Sequence, residues 1–273
     1  MISWLSVGAI RDGVGAVNRR AFLTAGATMV IGGASVASAN SARALPRRAL
    51  VYRGPASSPG CPEAVARLLA LAVEPYDVVF CGPDEDVVLT WESLAGAAMY
   101  VQPGGGTLAS AWLHMEQHAP LIREWVHAGG RYLGFCLGGY LAGGTPGFGL
   151  LPGDSAQYIS TRNSEIDTTG NTVVEVTWRG DKRWMFFQDG PIFVLRGDAS
   201  TEVLARYRNG RVAAVAADFG RGRVGVVGPH PEADRSWYTD GLTNPDGIRF
   251  DLGVDLIEAV SGGAQQRSAR FFP

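Results

Sequence analysis

Between residues 49 and 142, short and almost unbroken apolar runs alternate with stretches of helical spacing, and few folds accommodate that pattern. ALVYRG (49–54), YDVVFCG (76–82), AAMYVQPGGG (97–106) and RYLGFC (131–136) read as strands. CPEAVARLLALAV (61–73), TLASAWLHMEQ and APLIREWVHAG lie between them, with apolar residues at helical spacing, and LGGYLAGG opens a helix after the fourth strand. A strand that is apolar on both sides needs both faces covered, which is the condition of a parallel sheet between helical layers.

The second half changes character. NTVVEVTW, PIFVLRG, EVLARYRNG, RVAAVAADFG and GRVGVVGPH are strands joined by short turns such as Asn209-Gly210. They are expected as antiparallel additions at the sheet edge, with GRVGVVGPH returning to the main sheet. GIRFDLGVDLIEAVSG (247–262) has the spacing of a closing helix. The fold class is therefore α/β, a mostly parallel sheet with helices on both faces and antiparallel edge strands. No internal repeat or linker divides residues 48–264, so they are read as a single domain, with 40–47 as a short linker and 265–273 as a tail.

The first 39 residues read as an address. Arg19-Arg20 precedes a mildly apolar stretch that ends in Ala37-Ser38-Ala39, the order of a secretory signal, and the arginine pair points to twin-arginine export. Ala42-Arg43-Ala44 offers a second cleavage position. The alternative is a membrane anchor over residues 21–39. Gly26, Gly32 and Gly33 make that stretch weakly hydrophobic for its length, which favours the signal. No later segment is apolar enough to span a bilayer, so the mature form is expected to carry no membrane span.

Charge narrows the partners. The whole chain carries a net −2, and losing Arg11, Arg19 and Arg20 against Asp12 leaves the mature chain at −4. Such a surface offers no electrostatic attraction for nucleic acid or anionic membrane. Oligomeric state is not readable from these residues. The 37 glycines are about twice the usual share and, among basic residues, only Lys182 is not arginine. Both fit a GC-rich genome, so a glycine carries meaning only where a side chain would obstruct chemistry.

Three features converge on the carboxyl edge of the sheet, where open parallel sheets hold ligands. Gly134-Phe135-Cys136-Leu137-Gly138-Gly139 lies between a strand and a helix and has the form of a nucleophile elbow with cysteine in place of serine. The following helix N-terminus favours a thiolate. Taken alone, the motif also fits a buried structural cysteine in a Gly-rich turn. Gly228-Pro229-His230-Pro231-Glu232 follows the strand GRVGVV. A thiol nucleophile needs a base and the base an orienting acceptor, and extended backbone puts positions 230 and 232 on one side. Pro103-Gly104-Gly105-Gly106 ends the third strand, where bare amides, with that of Leu137, would form an oxyanion hole.

In this order, a Pro-Gly-Gly loop, a Cys elbow and a His-Pro-Glu resemble the class I glutamine amidotransferase-like superfamily. Val51-Tyr52-Arg53-Gly54-Pro55, QPGGG and IREWVHAGGRYLGFCLGGY look closer still to the N-terminal domain of biotin-protein ligases, a family that also occurs as free-standing bacterial proteins. The resemblance covers most of residues 49–233 and implies a flavodoxin-like fold. It implies Cys136 as nucleophile, His230 as base, Glu232 as its orienter, and Gly104, Gly105 and Leu137 as oxyanion donors. The substrate expected is a small-molecule or peptide amide, with a glutamine-like or related side chain. The ligase part that binds biotin has no counterpart in these motifs, so no cofactor is expected. The competing classes are a non-catalytic binding or regulatory module and a stress or chaperone-like relative. The complete Cys-His-Glu set favours the enzyme.

Lesser features remain. Cys61 and Cys81 both fall near the carboxyl edge and stand equally as a disulfide or as two buried thiols. His114 and His118 have i, i+4 spacing but no third ligand, so a solvated helix face is preferred and no metal is expected. Asp189-Gly190-Pro191 reads as a turn that borders the pocket only if the chain brings it there.

Overall fold

The computed structural model describes residues 47–197 and 200–262. Its first half runs β1 (Arg47–Tyr52), α1 (Cys61–Ala70), β2 (Tyr76–Cys81), α2 (Trp91–Ala95), β3 (Met99–Gln102), α3 (Leu108–Met115), α4 (Ala119–His127), β4 (Arg131–Phe135) and α5 (Leu137–Leu141). Then follow β5 (Gly153–Gln157), β6 (Thr172–Trp178), β7 (Asp181–Phe187), β8 (Pro191–Leu195), β9 (Glu202–Tyr207), β10 (Val212–Phe219), β11 (Gly222–Val227) and α6 (Asp251–Ser261). The leader and the tail after residue 264 lie outside the described residues.

The main sheet has the order β2-β1-β3-β4-β11-β10-β9-β6-β7. Strands β2, β1, β3, β4 and β11 pair parallel, and the rest of that path is antiparallel. Strand β8 pairs with β10 and β5 off that path. The expected return of GRVGVV is realised as β11, which lies parallel beside β4 with Val227 opposite Phe135. That register sets the ends of β4 and β11, and the residues that follow them, side by side.

The unbroken apolar strands are explained by burial on both sides. Ala49, Val51, Val101, Leu133 and Phe135 pack with Val65, Leu68, Leu256 and Val260 of α1 and α6. Their neighbours in sequence, Leu50, Tyr100 and Tyr132, pack on the other face with Met115, Ile122, Val126 and Leu141.

Two strands escape the periodicity argument. Strand β7 begins Asp181-Lys182-Arg183 and alternates poorly, yet it pairs along its whole length with β6. The turn between them places Arg179 and Gly180 at φ 48° and 97°. Strand β5, Gly153-Asp154-Ser155-Ala156-Gln157, carries almost no apolar signal and is held by pairing with β8. The closing helix starts at Asp251 rather than 247.

Candidate active site

Cys136 occupies the sharp corner between β4 and α5 with φ 46° and ψ −102°. L side chains rarely adopt that backbone, and it is held by contacts on both sides. The Cys136 amide donates to Val227 O at 2.9 Å. The chain passes so close that a Cβ on Gly134 would lie 2.5 Å from Gly138 O, and one on Gly138 would lie 2.1 Å from Gln102 O. Glycine is the residue that fits there.

Buried polar side chains of β3 and β4 brace the corner. Tyr132 OH donates to Gly138 O (2.7 Å), Tyr100 OH to Gln102 Oε1 (2.7 Å), and Gln102 Nε2 to Ala56 O (2.8 Å). Gln102 is fully buried, so each of these bonds, once broken, strands a polar group without water at about 1–3 kcal/mol. Gln102 and Tyr132 carry no motif. Only their burial reveals them.

The loop after β1 reaches the site as well. Arg53 grips Glu85 through both Nε and Nη2 (2.6 and 2.7 Å) and also meets Glu63 on α1 (3.2 Å), which ties three chain segments together. This loop presents Ser58, whose amide donates to Gly104 O at 3.1 Å. Gly105 follows at φ 119°, and a Cβ there would run into the Ser58 amide nitrogen.

His230 follows β11 and is almost sealed. Its amide donates to Phe186 O of β7 at 2.8 Å, and its ring packs against Phe186 and Trp237 with centroids 5.8 and 5.1 Å apart. Nδ1 lies 2.7 Å from Glu232 Oε1, the i, i+2 relation expected of this segment. Both side chains are essentially without exposure, and Glu232 Oε2 has no hydrogen-bond partner among the described residues. Burial disfavours a charged ring. Glu232 and the Cys136 sulfur outweigh that penalty and raise His230 from its ordinary 6.5 to about 10. With Nδ1 taken by Glu232, Nε2 is the nitrogen left for Cys136.

These residues meet at one cavity of about 560 Å³, within the range of small-molecule sites. Cys136, His230, Gly105 and Leu137 line it. Gly104 stands against His230 and Cys136, and Glu232 lies behind the ring. The Leu137 amide is one of the first-turn donors of α5 that a helix leaves unpaired. The cavity also takes in Ser58, Tyr140, Gln157, Asp189 and Trp237, so the turn at Asp189 does border the pocket. Cys136 Sγ lies 3.5 Å from Gln188 O on that same turn.

Of the two readings left open for Cys61 and Cys81, the structure has the pair of buried thiols. Cys61, Cys81 and Cys136 are all free thiols. Cys61 opens α1 at the cavity and feels Glu232 and Cys136, whereas Cys81 ends β2 within the cluster of Tyr52 and Tyr100 and feels Glu85. The two side chains face different surroundings, and burial pushes each thiol up to about 12. His114 lies in the last turn of α3, His118 in the 3-10 turn after it, and no group of three His, Cys, Asp or Glu able to hold a metal occurs among the described residues. No helix among them is long and apolar enough to cross a membrane.

The chain is similar to known proteins to different extents. Residues 47–155 match the family model described as Biotin-protein ligase, N terminal. The imidazole glycerol phosphate synthase subunit HisH 2 of Prochlorococcus marinus (strain MIT 9313) is 26% identical over 147 residues, which is 48% of this chain and 68% of that protein. A crystal structure of a glutamine amidotransferase superposes with a TM-score of 0.53 at 16% identity, covering 78% of this chain and 99% of the other. A glutamine amidotransferase from Thermotoga maritima gives 0.51 at 16% identity, over 80% and 99%. At such identities the two structures speak for the fold alone.

Proposed function

We propose that this chain, which is similar to the class I glutamine amidotransferase-like superfamily and matches the biotin-protein ligase N-terminal model over residues 47–155, cleaves an amide through a thiol acyl-enzyme formed at Cys136. The observation that carries this reading is the buried His230–Glu232 pair at 2.7 Å beside a strained cysteine in a cavity of substrate size. In it, the Cys136 sulfur attacks the amide carbonyl carbon. The oxyanion turns to the amides of the Gly104-Gly105 loop and Leu137, each such donor being worth about a hundredfold in rate or more. His230, oriented and kept protonated by Glu232, gives its proton to the leaving amine. Water, deprotonated by the same ring, then attacks the thioester carbonyl and releases the acid and the free thiol. The substrate class is a small-molecule or peptide amide, and we place the activity outside the cytoplasm, reached by the leader of residues 1–39. Anchoring through residues 21–39 is the other form of that proposal.

Iodoacetamide labelling with peptide mapping tests the thiol. At pH 6.5 the expected product is alkylated at Cys136 and bare at Cys61 and Cys81, whose thiols burial holds near 12. His230→Asn is expected to slow it. Labelling that rises only near the pH of an ordinary thiol, about 8.5, in wild type and H230N alike, points instead to a non-catalytic binding module. Full retention of amide cleavage by Cys136→Ala would also end the proposal.

A further inference from the structure

The cavity beside Cys136 is lopsided in charge. Among the described residues, Asp189 is the one carboxylate side chain that lines it, and no lysine or arginine does. Asp234, Asp246, Asp251 and Asp255 are each paired with an arginine. No basic side chain pairs with Asp189 among the described residues. Its Oδ1 accepts from Gln157 Nε2 at 2.8 Å and its carbonyl accepts from Tyr140 OH at 3.1 Å, so both ends of the residue are held. Its backbone sits at φ 48°, a conformation aspartate and asparagine tolerate better than most. The carbonyl of Gln188, the residue before Asp189, is the one that meets Cys136 Sγ, and Asp189 and Cys136 line the same cavity.

We propose that Asp189 selects the substrate by charge: the amide presented to Cys136 carries an ammonium or other cationic group near its scissile carbonyl and needs no carboxylate. This rests on the acyl-enzyme reading above and deepens it. Free glutamine carries both an α-ammonium and an α-carboxylate. Among the described residues the wall holds a partner for the first, while its one cationic group, the His230 ring, is already engaged by Glu232 and the Cys136 sulfur rather than left for the second. Tyr140 and Trp237, both half-buried on the same wall, add aromatic surface suited to a cation. A partly exposed carboxylate contributes up to about 1 kcal/mol per charge pair, so a discrimination of about fivefold is expected.

Three chloroacetamide reagents of similar size separate the possibilities: neutral 2-chloroacetamide, cationic N-(2-aminoethyl)-2-chloroacetamide and anionic N-chloroacetylglycine. In each, the Cys136 sulfur displaces chloride, and the rate is normalised to that of a small free thiol. The expected order in wild type is cationic, neutral, anionic, with about fivefold at each step, narrowing at high salt. Asp189→Asn, which keeps an acceptor for Gln157 and suits φ 48°, is expected to level the order. Equal normalised rates in wild type overturn the charge inference and leave the thiol reading standing. An order that persists in D189N, or is insensitive to salt, overturns the assignment to Asp189. Alkylation of Cys136 no faster than the free thiol by any reagent overturns the acyl-enzyme reading and this inference with it.

Discussion

Gly104 stands against the edge of the His230 ring: a Cβ at position 104 would lie 2.8 Å from His230 Cε1 and 3.5 Å from Cys136 Cβ. The glycine loop therefore does more than expose amides. It is the wall against which the imidazole sits beside Cys136.

Gly104→Ala is expected to push the ring away. Because the ring is boxed by Phe186 and Trp237, it has little room to yield elsewhere. The predicted result is an unchanged far-ultraviolet circular dichroism spectrum and Cys136 alkylation at pH 6.5 slowed about tenfold, the effect of losing about 1.4 kcal/mol of pairing. Wild-type rates in G104A would show that the ring is not held by this wall.

His230 also makes stability depend on pH. Its folded value of about 10 lies above the ordinary 6.5, so protonated His230 contributes fully below about pH 6.5 and that contribution disappears as pH rises through about 10. The urea midpoint of the wild type is therefore expected to fall between pH 7 and 10 by more than that of His230→Gln. Glu232→Gln removes one of the charges that raise the ring and is expected to shrink the fall as well. A gap between wild type and H230Q that stays constant from pH 6 to 10 would contradict this assignment.

The elbow stores strain that substitution can release. Cys136→Ala keeps the penalty of a side chain at φ 46°, whereas Cys136→Gly does not. Backbone strain of about 1–3 kcal/mol, less the entropy cost of a glycine at about 0.5–1 kcal/mol, leaves C136G more stable than C136A by about 1 kcal/mol. Chemical denaturation of the two variants measures it. If C136A proves the more stable, the corner is not strained.

Residue spacing along the chain already specifies the parallel half of the sheet, because strands covered on both faces must be apolar at consecutive positions, as Leu50 and Val51 are. It also determined that Cys136 sits in a glycine-lined corner and that His230 and Glu232 share a side, since those relations span at most a few residues. Contacts that cross long stretches of chain became visible only in the packed molecule. Strand β7 has no clean alternation, yet its Phe186 carbonyl receives the His230 amide. Gln102 looks like any polar strand end until Tyr100 and Ala56 close around it. Cys61 and Cys81 fall at the same sheet edge, but the one faces the cavity and the other the core, so they stay unpaired. Asp189 becomes part of the cavity only because β7 and β8 carry the turn between them to Gln157 and Tyr140. Local spacing fixes which way neighbours point, and contacts between distant segments depend on how every element in between has packed.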